Sequence, residues 1–392
     1  TTKDTPENIM NSNVEITGMA HGGYGVGRVA GQVCFVEYAL PGDVVRIDVV
    51  RRSRGVLWAA ITEIVQPSPH RVETPCPVFG RCGGCQWLGF EYPAQAEWKC
   101  QIVRDCFQRI GRLAIDPEWA DAPDLYLGYR TRAEFHEHDG AAGFYERGSH
   151  TVVDIASCPL CHEKLNAALD RIRAARPGQS VDVTVNPEGE DVLVWTRQPC
   201  PSLQEAFEQY DCGREHDARH GFMFDGVPIV NGAFSQSSLL LNRVLFEVVH
   251  SLVGRPASLL DLYCGSGNLS LGWAHEGIEV LGIDRDRAAV TSADAVGPGT
   301  YEVGGEDEFL HAMDQREWGA ILLDPPRSGA KAIAARLAKT RAEAIVYVSC
   351  DAATLARDAA VLCSAGWRIA RTVVVDMFPN TWHVETVCRF ER

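Results

Sequence analysis

The chain has 392 residues, 46% hydrophobic and 23% charged, which is the mix of a folded protein of two or three domains and excludes a disordered chain, a collagen-like chain and a small disulfide scaffold. No apolar run reaches the roughly 18–20 residues of a membrane span. Lysine and arginine number 37 against 52 aspartates and glutamates, a net charge of −15 that taken alone argues against a nucleic-acid partner.

The polar stretch Thr1–Asn13 lacks the charged-then-apolar layout of a signal peptide, so a cytoplasmic protein is expected. In that compartment 14 cysteines point to metal binding or catalysis rather than disulfides. Residues 14–66 read as short strands, at Val14–Ile16, Val33–Val36, Val44–Val50 and Trp58–Ile61. Between them lie the turn formers Gly22-Gly23, Gly25, Gly27 and Pro41-Gly42-Asp43, a pattern that predicts a small barrel. The proline-rich stretch Pro67–Pro77 reads as a linker.

Residues 76–230 predict an α+β unit, with a helix over Pro93–Ile110 and two strands in Val181–Trp195 around Asn186-Pro187-Glu188-Gly189. From 235 onward the alternation is clean. A helix over Ser237–Leu252 precedes strands at Ser258–Tyr263, Val280–Asp284, Ala320–Asp324 and Ala344–Ser349, which predicts a doubly wound parallel sheet. Arg371–Asp376 and His383–Phe390, joined by a short turn, must then be antiparallel neighbours. The expected boundaries are 1–70, 71–230 and 231–392, with the 93–110 helix packing on the last unit.

Asp261-Leu-Tyr-Cys-Gly-Ser-Gly-Asn268 follows a strand and precedes a helix, and Gly265 and Gly267 permit a tight turn close to a ligand. The third glycine of a dinucleotide fingerprint is missing. Asp284 ends the next strand, where a carboxylate suits a ribose diol. The pattern resembles an S-adenosylmethionine (SAM) pocket rather than an NAD pocket.

Cys76, Cys82 and Cys85 form C-x5-C-x2-C, and Cys158 is a distant fourth thiol, with Cys161 competing for that place. Four thiolates suit zinc or an iron–sulfur cluster. Cys158 is preferred because Pro159 follows it, and Cys100 and Cys106 read as packing residues. Cys350 leaves a buried strand at the rim where open α/β sheets bind ligands, beside a helix N-terminus that would favour a thiolate. Asp324-Pro325-Pro326-Arg327 places a carboxylate on the same rim. Glu385, in His383-Val384-Glu385-Thr386-Val387, reads by position alone as a solvent-facing glutamate.

Together C-x5-C-x2-C, DLYCGSGN, DPPRSG, VSCDAATLARD and DMFPNTWHVETV resemble the RNA (uracil-5-)-methyltransferase family over nearly the whole chain. The resemblance implies an α/β SAM-dependent methyltransferase, a doubly wound sheet with an antiparallel terminal strand pair. It also implies an N-terminal TRAM domain, an OB-like RNA-binding barrel, and a central α+β iron–sulfur domain.

By that resemblance Cys350 is the nucleophile on uracil carbon 6 and Glu385 removes the carbon-5 proton. Gln236, Tyr263, Gly265, Asn268, Asp284 and Asp324 match donor-site or pocket positions. Cys76, Cys82, Cys85 and Cys158 match the ligands of a [4Fe-4S] cluster. The expected partner is 23S ribosomal RNA, with the transfer-RNA T-loop as the alternative, no membrane contact, and a monomer. A non-catalytic RNA-binding protein and an iron–sulfur redox enzyme are the rival readings. Phe378, Trp382 and Phe135 are stacking candidates for a flipped base.

Three places depart from the family pattern: Ser238 stands where asparagine is usual, Ala295–Gly299 replaces an asparagine-rich helix, and near Gly305 only Glu306 or Asp307 could contact adenine. Against the acidic total, a basic face is expected from Arg46, Arg51, Arg52 and Arg54 together with Arg130, Arg132 and Arg147.

Overall fold

The computed structural model describes residues 13–120, 124–213 and 219–392; nearly all of the polar N-terminal segment lies outside them. The front of the chain is a six-stranded sheet in the order Asn13–Glu15, Val44–Ser53, Val56–Gln66, Gln32–Val36, Tyr24–Val29, Gly18–Ala20. Alternate residues, among them Val14, Val29, Cys34, Val36, Val45 and Ile47, fill its core.

The glycines were misread there. Tyr24–Val29 is a strand, not a turn, and Gly25 and Gly27 are glycine because the strand runs against its neighbours. A Cβ on Gly25 would meet the Ala39 carbonyl oxygen at 2.6 Å, and one on Gly27 would meet Val14 Cγ1 at 2.4 Å. The proline-rich stretch is also tethered rather than loose. Buried Asp43 accepts from the Ser68 amide at 2.8 Å and from Arg71 Nε at 2.8 Å.

The central unit is a six-stranded sheet in which Arg132–His138, Ser180–Val185 and Val192–Thr196 run antiparallel side by side. The amphipathic Glu163–Ala175 helix buries Leu165, Ala168, Leu169 and Ile172 against it. The expected strand pair around Asn186–Gly189 is present.

The last unit is an eight-stranded sheet. Its order is Thr300–Val303, Glu279–Asp284, Ser258–Leu262, Ala320–Leu323, Ala344–Ser349, Glu385–Glu391, Arg368–Val375, Glu118–Trp119. The first five strands are parallel, and Glu385–Glu391 inserts antiparallel beside the fifth. Every residue of the Ser258–Leu262, Ala320–Leu323 and Ala344–Ser349 strands is buried, as expected of a parallel sheet covered on both faces.

Two strands of this sheet escaped the sequence. Thr300–Val303 buries only Tyr301, and Glu118–Trp119, from the central segment, is too short to carry a period. The Tyr92–Cys106 helix packs on the Ala352–Ser364 helix through Ile102, Val103 and Cys106, and continues into a wider turn at Phe107–Gly111. The approach is close: a Cβ on Gly111 would lie 2.7 Å from the Ala356 carbonyl oxygen.

Candidate active site

The carboxyl ends of the parallel strands open onto a cleft of about 910 Å³. After the Ser258–Leu262 strand the chain turns through Tyr263, Gly265 and Gly267, all at positive φ. The Gly265 amide donates to Asp284 Oδ2 at 3.0 Å, and the Asp286 amide to its Oδ1 at 2.9 Å, so the carboxylate that suits a ribose is held at the cleft wall. A Cβ on Gly265 would meet no atom within 4 Å, so the constraint there is its φ of +53° rather than crowding. Tyr263 lines the cleft, sits edge-on to Phe309, and burial pushes its phenol up to about 12.

Gln236, Tyr263, Gly265, Asn268, Asp284 and Asp324 all line this one cleft. The Asn268 amide, however, is already engaged, exchanging two hydrogen bonds with Asn242 of the Leu239–Val253 helix at 2.7 and 3.0 Å. Its side chain ties the glycine turn to that helix. Ser238, the departure from the family pattern, caps the same helix, its Oγ accepting from the Leu241 amide at 3.1 Å. Glu306 and Asp307 are not among the cleft-lining residues, and Glu306 faces Arg285 at 3.4 Å. Arg285, Asp286 and Ala289 line that wall instead.

Cys350, Asp324 and Glu385 converge on the far wall. Ser349 pairs with Thr386 across antiparallel strands, which brings the following Cys350 and the preceding Glu385 to the same end of the ladder. Glu385 is buried, not solvent-facing, and its Oε2 has no partner among the described residues. Burial and the Asp324 charge hold its carboxyl well above the usual range, with Arg327 opposing. Asp324 is pushed up to about 7, first by burial and then by Asp284, and Asp261 to about 8 by burial.

Cys350 is pushed up to about 12 by burial and by the Glu385 and Asp324 charges; Arg327 pulls the other way. The expected thiolate stabilised by a helix end is therefore not what the free protein holds. Asp351 occupies that helix N-terminus, its Oδ1 accepting from the Thr354 amide at 2.8 Å.

Phe378 and His383 complete the wall. Burial and neighbouring cations take His383 down to about 3, so its ring is neutral at pH 7. Trp382 lies against Gly23 and His21 of the front unit, and Phe135 is fully buried in the central core. Of the three stacking candidates only Phe378 faces the cleft.

The expected basic face is partly consumed by pairing. Arg46 bonds Glu63, Arg132 faces Asp182 at 3.6 Å, Arg147 faces Glu37 at 3.5 Å, and Arg130 donates to the Gly84 carbonyl at 3.1 Å.

Cys76, Cys82, Cys85 and Cys158 line a second, small cavity walled by Phe79, Phe144 and Ile155, while Cys161 stands behind Cys158. Cys82 Sγ accepts from the Gly84 amide at 3.4 Å, and Asn166 bonds both the amide and the carbonyl of Cys158. A hydrogen bond from Cys161 leads the effects that bring the Cys158 thiol down to about 6. Among the described residues no three His, Cys, Asp or Glu side chains close on a single metal ion.

Sequence reasoning missed Arg327 as a charge in the pocket, Asn242, and the buried Gln95 and Lys99. Arg327 was legible in its motif; nothing in the sequence marks the other three.

Comparison with known proteins agrees with this layout. A family model for tRNA (Uracil-5-)-methyltransferase matches residues 310–392, and one for the TRAM domain matches residues 12–62. The 23S rRNA (uracil(1939)-C(5))-methyltransferase RlmD of Thiobacillus denitrificans is 32% identical over 98% of this chain and 100% of its own length. RlmD of Methylococcus capsulatus is 32% identical over 96% of each chain. An RNA methyltransferase of Thermotoga maritima is 29% identical over 96% of this chain and 98% of its own.

Among solved structures, the Pyrococcus abyssi tRNA (uracil-54, C5)-methyltransferase in complex with S-adenosyl-L-homocysteine superposes with a TM-score of 0.77 at 23% identity, covering 96% of this chain and 99% of that one. That likeness establishes the SAM-dependent methyltransferase fold. The chain belongs to the RNA (uracil-5-)-methyltransferase family and carries a TRAM domain at its front.

Proposed function

We propose that this chain methylates carbon 5 of a uridine in 23S ribosomal RNA with SAM as donor, using Cys350 as nucleophile and Glu385 as proton acceptor. One observation carries the reading: Cys350, just past the end of the Ala344–Ser349 strand, and Glu385, at the start of its antiparallel neighbour, share a desolvated wall of the cleft that also holds Gln236, Tyr263 and Asp284. The relatives matched end to end at 32% identity favour ribosomal over transfer RNA.

Carbon 5 of uracil is a weak nucleophile. Cys350 loses its proton to solvent and its sulfur bonds carbon 6. The carbon 5–carbon 6 π pair moves toward oxygen 4, leaving an enolate nucleophilic at carbon 5. SAM supplies the methyl group that carbon 5 takes. Glu385 then accepts the carbon-5 proton, the double bond re-forms, and the Cys350 thiolate is expelled. Asp284 fits a ribose, and Tyr263 and Phe378 offer aromatic faces to the cleft. The target base must leave its stack, at a cost of a few kcal/mol.

The four cysteines that share the second cavity fit a [4Fe-4S] cluster. The cluster would act as a structural clamp there. The reading carries with it a cytoplasmic monomer whose TRAM barrel helps to hold RNA.

The test is a denaturing gel of transcripts carrying 5-fluorouridine, incubated with protein and SAM. Fluorine cannot leave carbon 5 as a proton, so a covalent adduct should persist with a 23S domain and vanish in Cys350→Ala. An adduct with transfer RNA alone would move the substrate to the T-loop. SAM binding with no adduct on either RNA would overturn the reading.

A further inference from the structure

Glu385 Oε2 has no hydrogen-bond partner among the described residues, so its aim comes from where its strand begins. Val375 pairs with Glu385, and the chain between them, Asp376 to Val384, is a long hairpin loop. A free loop of that length would let Glu385, Phe378 and His383 wander.

The loop is clasped from outside the catalytic sheet. Lys99 Nζ donates to Asp376 Oδ1 at 2.6 Å and to the Phe378 carbonyl at 3.1 Å. One helical turn earlier, Gln95 Nε2 donates to Asn380 Oδ1 at 3.0 Å, and the Asn380 amide donates back to Gln95 Oε1 at 2.9 Å. Tyr129 and the amides of Gln86 and Trp87 complete the clasp on Pro379 and Asn380. The side chains of Lys99 and Asp376 are both 0% exposed.

A buried ion pair of this kind is a poor source of stability, because taking two charges out of water offsets most of their attraction. Its value lies in fixing one geometry. We infer that Lys99 and Gln95 are positioning residues for Glu385, holding the hairpin loop so that the carboxylate faces carbon 5 of the target uridine. This inference rests on the reading of Glu385 as the proton acceptor.

The test uses the full, cluster-loaded protein and RNA with ordinary uridine. Slowed proton removal leaves the methylated base joined to Cys350, so a gel-stable adduct accumulates, a signature that general destabilisation does not produce. Lys99→Met with Asp376→Leu removes both charges together. Gln95→Met removes no charge, only the side-chain amide's hydrogen bonds to Asn380, Trp87 and Phe90, and decides the matter if the double variant does not fold.

The expected result is a folded protein with unchanged KM for SAM, kcat lower by about 100-fold (the scale of a ~1 Å misplacement), and adduct accumulation matching Glu385→Gln. Wild-type turnover in a folded variant, or lost turnover without adduct, would overturn the inference. Should Glu385→Gln itself turn over normally with no adduct, the proton-acceptor reading falls instead. Should Glu385→Gln accumulate adduct while the clasp variants do not, only the positioning role falls.

Discussion

A thiol meant to attack carbon is usually found poised as its anion, yet Cys350 is pushed up to about 12. The cause is local. The sulfur is half-buried, carboxyl groups surround it, and the neighbouring helix end is spent on Asp351. Only Arg327 works the other way. A raised thiol pKa means the neutral form persists through the physiological range, and the thiolate gains as pH rises toward 12. Iodoacetamide should therefore alkylate Cys350 in the free protein more slowly at pH 7 than it does free cysteine, whose pKa is about 8.5. The rate should climb without a plateau to pH 11, and Arg327→Met should slow it further at each pH. Peptide mass spectrometry of the Cys350 peptide reads the rate, and a plateau near pH 8 would refute the assignment. On the proposed mechanism, Cys350 therefore rests as the neutral thiol in the free protein.

At the scale of elements, backbone proximity decides what glycine means. Gly25 sits in a strand where its missing Cβ admits the Ala39 carbonyl. Gly25→Ala should destabilise the barrel by about 1–3 kcal/mol, the usual cost of overpacking, with methyl transfer to a short RNA hairpin losing less than binding of a long transcript. Thermal melting and filter binding would show it, and an unchanged melting curve would mean the strand yields easily.

The same contrast explains what was legible. Four of the five parallel strands at the start of the last sheet were read nearly to their ends because a sheet covered on both faces writes continuous apolar runs such as Ala344–Ser349. Tyr24–Val29 was lost because sequence cannot tell a glycine that bends the chain from one that lets it pass close. The site divides likewise. Cys350, Asp324 and the trio Cys76, Cys82 and Cys85 lie in motifs with their own spacing, whereas Cys158 stands far from that trio in the sequence. Gln95 and Lys99 are polar residues in a helix, and only the tertiary fold shows that they face inward, as the buried Glu385 also does.

For the whole molecule, the net charge of −15 and an RNA substrate are reconciled by separation rather than by a broad basic face. Arg51, Arg52 and Arg54 stay exposed on the barrel, with Arg51 resting over Trp58 at 4.5 Å, while Arg147 is drawn into the joint between the front and central units and Arg130 is tied to the Gly84 carbonyl within the central unit. The central unit also holds the hairpin loop between Arg368–Val375 and Glu385–Glu391. Cys85 directly precedes Gln86 and Trp87, whose amides donate to the Asn380 carbonyl at 3.3 and 3.0 Å. A cluster that fixes Cys85 would thereby fix one side of the clasp on the Glu385 loop. On the proposal that these thiols hold a cluster, chelating its iron should then speed amide hydrogen exchange at Gln86, Trp87 and Asn380 while leaving the Ser258–Leu262 strand protected, since that strand is hydrogen-bonded on both edges, to Glu279–Asp284 and Ala320–Leu323. Exchange mass spectrometry before and after iron loss measures both segments in one experiment. Equal exchange in the 86–87 and 380 peptides would mean that the thiol cavity and the Asp376–Val384 loop are held independently.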